Sequence, residues 1–301
     1  MIGGWDGIEE FVAVARAGSF TAGARAFGAS VTHMSRAVAR LEARLETQLF
    51  NRTTRSLFLT DTGRIFLEQC QRLVDEREEA IAGIASQGEP RGTLRVTCSY
   101  ALGERFVSPL VREFAQENPS LVVTLDLDND VVDIVSRGYD LAVRTGHLED
   151  SRLIATRVAQ RELVTVASRH YLSLHGEPGE IAELTAHDCL VGSSSQWHFR
   201  RGQTFRPRGR WQCNSGTTVV DACLAGMGIC QLPAFYVREH LAAGRLQEVL
   251  EDERPEDEPI WAIYPTRRHL SPKISGLVAL LRAKLQGRLE DAKSLYAPVR
   301  Y

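Results

Sequence analysis

A chain of 301 residues has room for two or three domains, each with a sizeable core. Its 44% hydrophobic and 25% charged content is that of an ordinary globular protein, and no run of 18 apolar residues or signal-peptide pattern occurs, so the expectation is a cytoplasmic chain that neither spans nor needs a membrane. A net charge of -2 exerts no overall pull on nucleic acid, so any basic surface must be local.

Residues 5–17 read as an opening helix, with Ile8, Phe11, Val12 and Ala15 on one stripe and Gly18 as its stop. Thr21 is placed to cap a second helix whose apolar positions are Ala22, Ala26 and Phe27, and Gly28 supplies the turn after it. Ser30 caps a third helix, with Val31, Met34, Val38 and Leu41 inward at helical spacing. Its other face carries Thr32, His33, Ser35, Arg36 and Arg40, with no acid before Glu42. Two helices joined by a tight turn, the second polar and basic outside, form a helix-turn-helix. Such a motif sets its second helix, from Ser30 and Val31 onward, in the DNA major groove, where hydroxyls and arginines meet base edges and phosphates. Residues 1–60 hold seven arginines against five acids, a net of +2, and the acids cluster at the first helix.

Beyond Glu46, two short apolar strands flank a polar loop with Arg52, Thr53, Thr54 and Arg55, the arrangement of a wing that meets the DNA backbone or minor groove. Arg52 fits a structural ion pair equally well. From Thr62 to about Gln87 one long helix is predicted, with Phe66, Cys70, Leu73, Arg77, Ala80 and Ile84 alternating at four and three. Leu67, Val74 and Ile81 lie beside them, and this heptad-like seam suits pairing with a second copy; the competing reading packs the helix on its own domain. Gly88-Glu89-Pro90-Arg91-Gly92 then breaks the helix as a hinge.

The remainder alternates strands and helices. Strands are expected at 93–98, 121–127, 140–144, 163–167, 189–191 and 261–264, and helices at 108–116, 131–136, 221–225, 234–243 and 273–289. That order implies an α/β layout with largely parallel sheets. Ligands in such sheets bind beyond the carboxyl ends of strands, often at helix N-termini. The loops so placed hold Ser99, Tyr100, Ala101 and Leu102 after the first strand and Thr145 and Gly146 after the third. Ser193, Ser194 and Trp197 follow Val191, and Thr217 precedes another helix. Small hydroxyls beside two aromatic rings suit a small effector, anionic or polar aromatic. Ordinary caps and turns account for such residues too.

The six cysteines are scattered without a C-x-x-C pair, and no histidine has metal-ligand spacing, so neither a metal nor a cofactor is expected. Cys98 adjoins the strand-end loops and is the candidate for a redox sensor, against simple burial as a small apolar residue. Arg200, Arg201, Arg206, Arg208 and Arg210 form a basic loop that reads either as a solvated hairpin or as a contact for DNA or an anionic partner, although it lies far from the wing in sequence.

The blocks Ser19-Phe20-Thr21, Ser35-Arg36, Leu41-Glu42, Leu49-Phe50-Asn51-Arg52 and Leu59-Thr60-Asp61-Thr62-Gly63 stand in one order and spacing. On them the N-terminal stretch resembles the winged helix-turn-helix of the LysR-type transcriptional regulators. Two positions depart from that pattern: Gly23 replaces the first Ala of a usual pair and loosens its helix, and Glu46 replaces a common Gly, a change expected to lengthen the recognition helix. Further on, Leu94-Arg95-Val96, Asn118-Pro119, the run Gly138 to Arg144, Ala225-Gly226-Met227-Gly228-Ile229 and Leu232-Pro233 resemble the family's effector domain, two α/β lobes of the type-2 periplasmic-binding-protein kind. Leu148-Glu149-Asp150-Ser151, the run Ala167 to Leu172, His175-Gly176 and Tyr264-Pro265 resemble one of its subgroups.

The resemblance implies a winged helix-turn-helix over residues 1–61, a linker helix over 62–88 and an effector domain over 89–301. Lobe one is expected at about 92–163 and 267–301, and lobe two at about 164–266. It further implies a regulator, not an enzyme, that binds a pseudo-palindromic promoter site as an oligomer. The dimer would form through the long helix and the tetramer is the family's own. RNA polymerase is a further implied partner, and the effector would sit between the lobes. A cysteine-based redox regulator and a solute-binding protein are the competing classes. The absent signal-peptide pattern and the intact helix-turn-helix weigh against the second.

Overall fold

The computed structural model describes residues 5–52, 57–85, 89–130, 133–146, 153–265 and 271–291. The chain divides into two compact units, residues 1–88 and 89–301.

In the first unit α1 (Ile8–Ala17), α2 (Phe20–Phe27) and α3 (Val31–Leu45) precede a hairpin of β1 (Phe50–Arg52) and β2 (Leu57–Leu59), and α4 (Asp61–Ala85) follows. Helix α1 buries Phe11, Val12 and Val14 and ends on Gly18, whose φ of 69° is open to glycine at little cost. The cap of α2 is Ser19 rather than the expected Thr21: the Ser19 hydroxyl accepts the Ala22 amide at 3.1 Å, and Thr21 lies inside the helix. Gly23 has a packing reason. A Cβ there would stand 2.8 Å from the Val14 Cα, so the missing side chain lets α1 and α2 touch backbone to backbone.

Ser30 caps α3 through the His33 amide at 3.1 Å, and Met34, Ala37, Val38 and Leu41 are buried. Val31, expected inward, is 43% exposed because the first residue of α3 overhangs the core. Glu46 does not lengthen the helix. It ends it, holding the left-handed backbone (φ 52°, ψ 33°) that a glycine would adopt without strain. Glu42 turns back, accepting the amides of Leu49 and Phe50 at 2.9 and 3.1 Å, and so sets where the hairpin leaves α3. The rings of Phe20, Phe50 and Phe66 surround this core, the last two 5.2 and 5.6 Å from Phe11. The Leu59-to-Gly63 block is explained the same way: the Thr60 hydroxyl accepts the Gly63 amide at 2.9 Å, while a Cβ on Gly63 would lie 2.1 Å from the Leu49 carbonyl oxygen.

The face of α4 expected to form an intermolecular seam is partly used at home. Phe66, Cys70 and Val74 pack on the core of the first unit, and Arg77 pairs with Glu9 beneath the Trp5 ring. Ile65 and Leu73 stay 63% and 47% exposed, and the side chains of Ala80 and Ile84 lie outside those described.

In the second unit, β3 (Gly92–Cys98) leads through a short helix α5 (Tyr100–Leu102) and a π-helical turn into α6 (Ser108–Glu117). Then come β4 (Leu121–Leu127), β5 (Leu141–Thr145), β6 (Leu153–Arg161), β7 (Leu163–Ser168) and α7 (Arg169–His175). A small hairpin, β8 (Trp197–His198) and β9 (Thr204–Phe205), precedes α8 (Gly216–Leu224), β10 (Ile229–Pro233), α9 (Ala234–Ala242) and β11 (Leu246–Glu248). Strand β12 (Glu258–Pro265) and α10 (Pro272–Glu290) close the unit.

Two main sheets result, ordered β4-β3-β5-β12-β6 and β10-β7-β11. Only the pairings of β3 with β4 and β5 are parallel; β12 runs antiparallel to β5 and β6, and β10 and β11 antiparallel to β7. The expectation of largely parallel sheets therefore does not hold. Parallel neighbours need a crossover, which α6 supplies between β3 and β4, whereas β12 comes back from lobe two and runs antiparallel to β5 and β6. Because β12 returns into the first sheet between β5 and β6, lobe two ends before Glu258, not at 266.

The core of lobe one is built from α6 and α10, whose Leu110, Val111, Phe114, Ile274, Leu277 and Leu281 face inward at helical spacing. Beneath them lies a buried ion pair, Lys273 Nζ to Asp140 at 3.6 Å, with Asp140 accepting the Arg95 amide at 2.8 Å and Lys273 donating to the Thr93 carbonyl at 2.6 Å. It fastens the start of α10 to β3. Arg254, on the second crossing between lobes, is clasped by Glu248 and Glu162, and Arg161 pairs with Glu258 at 2.8 Å.

The expected helix over 131–136 begins outside the described residues. From Asp133 onward the chain makes a capped turn instead, with the Asp133 carboxylate accepting the amides of Val135 and Ser136. The expected strand at 189–191 is reduced to single bridges, Cys189 to Ile229 and Val191 to Gln212. His147 and the block at 148–151 lie outside the described residues.

Candidate nucleic-acid interface and effector cleft

The Ser30 cap fixes where α3 begins, and helical spacing then sets Thr32, Arg36 and Arg40 along one exposed row with Val31 and Ser35 beside it. Among the described residues the guanidinium groups of Arg36 and Arg40 meet no carboxylate, so both remain available to an outside anion. The acid nearest the row, Glu42, is occupied by backbone amides. His33 departs from the expected set: its Nε2 lies 3.0 Å from Glu10, so the ring is drawn toward α1 and away from that row. Arg25, in the last turn of α2, is exposed and also without an acidic partner. Its position one turn before the Gly28 corner was the signal for it, since the first helix of this motif crosses the DNA backbone. Arg52 belongs to β1, but its side chain lies outside the described set, as do Thr53, Thr54 and Arg55.

In the second unit, residues near the strand ends of the two lobes are joined by hydrogen bonds, where the expected effector cleft would lie. The Tyr100 amide donates to Asn129 at 3.0 Å, and Asn129 reaches across to the Asn214 carbonyl at 3.2 Å. Arg105 donates to the Thr217 hydroxyl at 3.1 Å while lying 4.9 Å from the Tyr236 ring centre. Arg144, at the end of β5, donates to the Thr97 hydroxyl and the Asp128 carbonyl. Tyr100 is 53% exposed above this group. Of the expected residues, Tyr100 bonds Asn129 and Thr217 bonds Arg105, and Thr145 ends β5 just before Gly146, whose carbonyl accepts the Trp261 indole N–H at 2.8 Å.

Three expected members do not line the cleft. Leu102 is 1% exposed in the lobe-one core, and Ala101 packs on the same core. Trp197 is 2% exposed, its ring set against Phe205 inside lobe two. Ser193 and Ser194 are exposed, and the Ser194 hydroxyl is spent on the Gln196 carbonyl at 2.6 Å. Sequence reasoning missed Arg105, Asn129, Arg144 and Tyr236. Arg144 closes one of the blocks quoted above and was within reach. The others depend on contacts spanning 85 to 131 residues, which no local pattern announces.

The thiols offer little chemistry. Cys98 is fully buried and its pKa is pushed up to about 12 by loss of hydration, which outweighs the neighbouring Arg144 charge. Burial likewise pushes Cys70 and Cys189 up to about 11, and the Cys223 contact together with burial raises Cys230. A thiol held protonated is a poor nucleophile toward peroxide. Among the described residues no cluster of three histidines, cysteines or acids could hold a metal, and no helix is long and apolar enough to cross a membrane. A recess of about 250 Å³ opens at the crossings between lobes, lined by Gln160, Arg161, Arg238 and Asp257 among others; it lies away from the strand-end cleft.

Comparison with known proteins bears on both sites. Residues 5–64 match the family described as "Bacterial regulatory helix-turn-helix protein, lysR family", and residues 87–286 match "LysR substrate binding domain". The chain is 32% identical over 276 residues to the transcriptional activator AaeR of Escherichia coli, covering 89% of each chain. It is 34% identical over 284 residues to the transcriptional regulator PtxR of Pseudomonas aeruginosa, covering 91% of each. Among solved structures, the full-length Vibrio cholerae virulence activator AphB superposes with a TM-score of 0.57 at 28% identity, covering 93% of this chain and 99% of that one. CrgA of Neisseria meningitidis does so at 0.55 and 28%, covering 96% and 98%.

Proposed function

The chain belongs to the LysR family of transcriptional regulators, and from that premise we propose that it binds a pseudo-palindromic promoter site in the cytoplasm through α3 and the wing. The carrying observation is the row of Thr32, Arg36 and Arg40 on a capped helix, its two cations unclaimed by any described acid. Arginine suits this task because its planar fork bonds guanine edges or phosphates in pairs. Two copies joined through the exposed Ile65 and Leu73 of α4 would set two such helices on half-sites one or more helical turns apart. A tetramer and contact with RNA polymerase extend the same reading.

The effector of this reading is a small anion with an aromatic or polar body. Arg105 and Arg144 supply charge, Thr97, Ser99 and Thr217 supply hydroxyls, and Tyr100 supplies a face. Because Arg105 and Asn129 already bridge the lobes, a ligand competing for them would alter how the lobes close. It would thereby signal by its difference in affinity for two states.

The test is footprinting on DNA immediately upstream of the protein's own coding region at two salt concentrations, beside Arg36→Ala. A protected dyad that weakens steeply with salt, and weakens strongly in the variant, is expected. Arg55→Ala should flatten the salt slope by about one phosphate contact. Unchanged affinity and slope in both variants would refute this placement of the reading surface.

A further inference from the structure

We propose that the β8–β9 hairpin and the extended segment after it form a second DNA-contacting surface, on lobe two, that grips the phosphate backbone of the duplex. The inference rests on the DNA-binding reading above and adds a site to it.

The segment from Trp197 to Gln212 holds five arginines and no acid, inside a chain whose net charge is -2. All five are exposed. Arg210 stands 3.7 Å from Asp188, while Arg200, Arg201, Arg206 and Arg208 take no acidic partner among the described residues. A solvated loop explains exposure, but it does not explain how these side chains are mounted.

The mounting is rigid and one-sided. Trp197 and Phe199 are buried in lobe two, and Gln231 clamps His198 from both sides, accepting its amide at 2.9 Å and donating to its carbonyl at 2.8 Å. Beyond the hairpin, Pro207 is buried, and a Cβ on Gly209 would lie 2.2 Å from the Cys189 carbonyl oxygen. Pro207 and Gly209 therefore face the body of the lobe. Arg206 and Arg208 flank buried Pro207 and are exposed, as is Arg210, and alternate residues of an extended chain stand about 6.6 Å apart. That interval is close to the separation of successive phosphates along one DNA strand.

The tip breaks a local rule. Arg201 and Gly202 both hold positive φ, 59° and 73°, the central pair of a type I′ turn closed by Gln203 N–H to the Arg200 carbonyl at 3.3 Å. Asparagine or glycine adopts the first of those positions easily; arginine is strained there. A strained cation at the end of an anchored hairpin is the kind of outlier that points to use.

The partner's class follows from what is missing. Protein interfaces centre on exposed aromatic or aliphatic anchors, yet here Trp197, Phe199 and Pro207 turn inward, and the exposed residues are the five arginines with His198, Gly202, Gln203, Thr204 and Gly209. A cationic and polar face without a fully exposed apolar anchor fits a phosphate backbone better than an acidic protein.

The test uses the full chain and a labelled duplex of about 60 base pairs carrying the footprinted site, beside a duplex trimmed to the protected core. Arg200, Arg201, Arg206 and Arg208 are changed together to Gln, and in a second variant to Lys. Four lost phosphate contacts reduce the slope of log K against log salt by about 3.6, so the change in Kd between 50 and 200 mM salt should shrink by about 100-fold on the long duplex. The trimmed duplex should show less, and the Lys variant should keep most of the slope while controlling for folding. If wild-type protein binds with an Arg36-dependent slope that the Gln variant leaves intact, the hairpin proposal is overturned and the DNA-binding reading stands. If wild type shows no salt-dependent binding to either duplex, both fall. Loss of binding to polyglutamate by a Gln variant with an intact DNA slope would overturn the proposal in favour of an acidic protein.

Discussion

Replacing Glu46 by glycine should stabilise the first unit, although it removes a side chain and lengthens nothing. Glu46 ends α3 at φ 52° and ψ 33°, where an L-residue's Cβ crowds the following carbonyl at a cost of roughly 1–2 kcal/mol. Glycine escapes that cost but has more unfolded freedom to lose, worth about 0.4–1 kcal/mol. Among the described residues the Glu46 side chain makes no hydrogen bond or ion pair to lose, so the net gain is about 0.5–1 kcal/mol. For a unit of this size 1 kcal/mol moves the midpoint by about 4–8 °C, so Glu46→Gly should raise it by about 2–8 °C. Calorimetry of the full chain reads the shift, and hydrogen exchange over α1 to α3 assigns it to the first unit. Glu46→Ala is the matched control, losing the same charge but keeping the Cβ. A gain in both variants would trace the effect to charge, and a gain in neither would refute the strain argument.

Gly23→Ala should go the opposite way: helix propensity favours alanine by about 1 kcal/mol, but a Cβ 2.8 Å from the Val14 Cα forces α1 and α2 apart, an overpacking cost of about 1–3 kcal/mol. A raised unfolding midpoint would show that the helices yield freely. Lys273→Met takes the cation from beside buried Asp140 and should cost about 3–5 kcal/mol, or about 6–20 °C in the second unit. Asp140→Asn in the same chain should recover part of that, and an additive loss would count against the pairing. Burial raises the Cys98 pKa to about 12, so folding favours its protonated form. The resulting stability is present below pH 9 and lost as pH rises toward 12, to be seen as a falling urea midpoint of the second unit between pH 8 and 10.5 that Cys98→Val lessens.

The helices were legible because their signals are local. Ser30, Gly28 and Gly18 act as their residue types predict, and the inward sets of α6 and α10 follow from spacing alone. Thr21 misled because two hydroxyls stand two residues apart, and only Ser19 is placed to reach the amide of Ala22. Sheet direction was not legible, since no local pattern tells β12 to return between β5 and β6. Strand β6 escaped notice because Arg157, Gln160 and Arg161 interrupt its apolar run while pairing with β12. Trp197 misled for a related reason: an aromatic after three serines looks exposed, but the two-residue period of its hairpin turns it into the lobe.

What the sequence hid most completely is also what a regulator of this design depends on. At the strand ends the lobes are bridged by one charged and one neutral hydrogen bond, Arg105 to Thr217 and Asn129 to the Asn214 carbonyl, while Arg238 reaches the Leu289 and Glu290 carbonyls at the crossings. A charge-assisted bond contributes about 1.5–3 kcal/mol and a neutral one about 0.5–1.5, so the bridges together are worth about 2–4.5 kcal/mol. A coupling between sites commonly amounts to about 1–3 kcal/mol. The bridges are therefore of the size an effector has to work against, whereas the ion-pair clasp of Arg254 at the crossings lies away from the cleft and holds the two connections in register. In the proposed reading, an anion that draws Arg105 from Thr217 returns a charged hydrogen bond and so shifts the balance of lobe positions. A neutral ligand of the same shape has no such exchange to offer. By this reasoning charge, more than size, separates effectors from bystanders at the cleft.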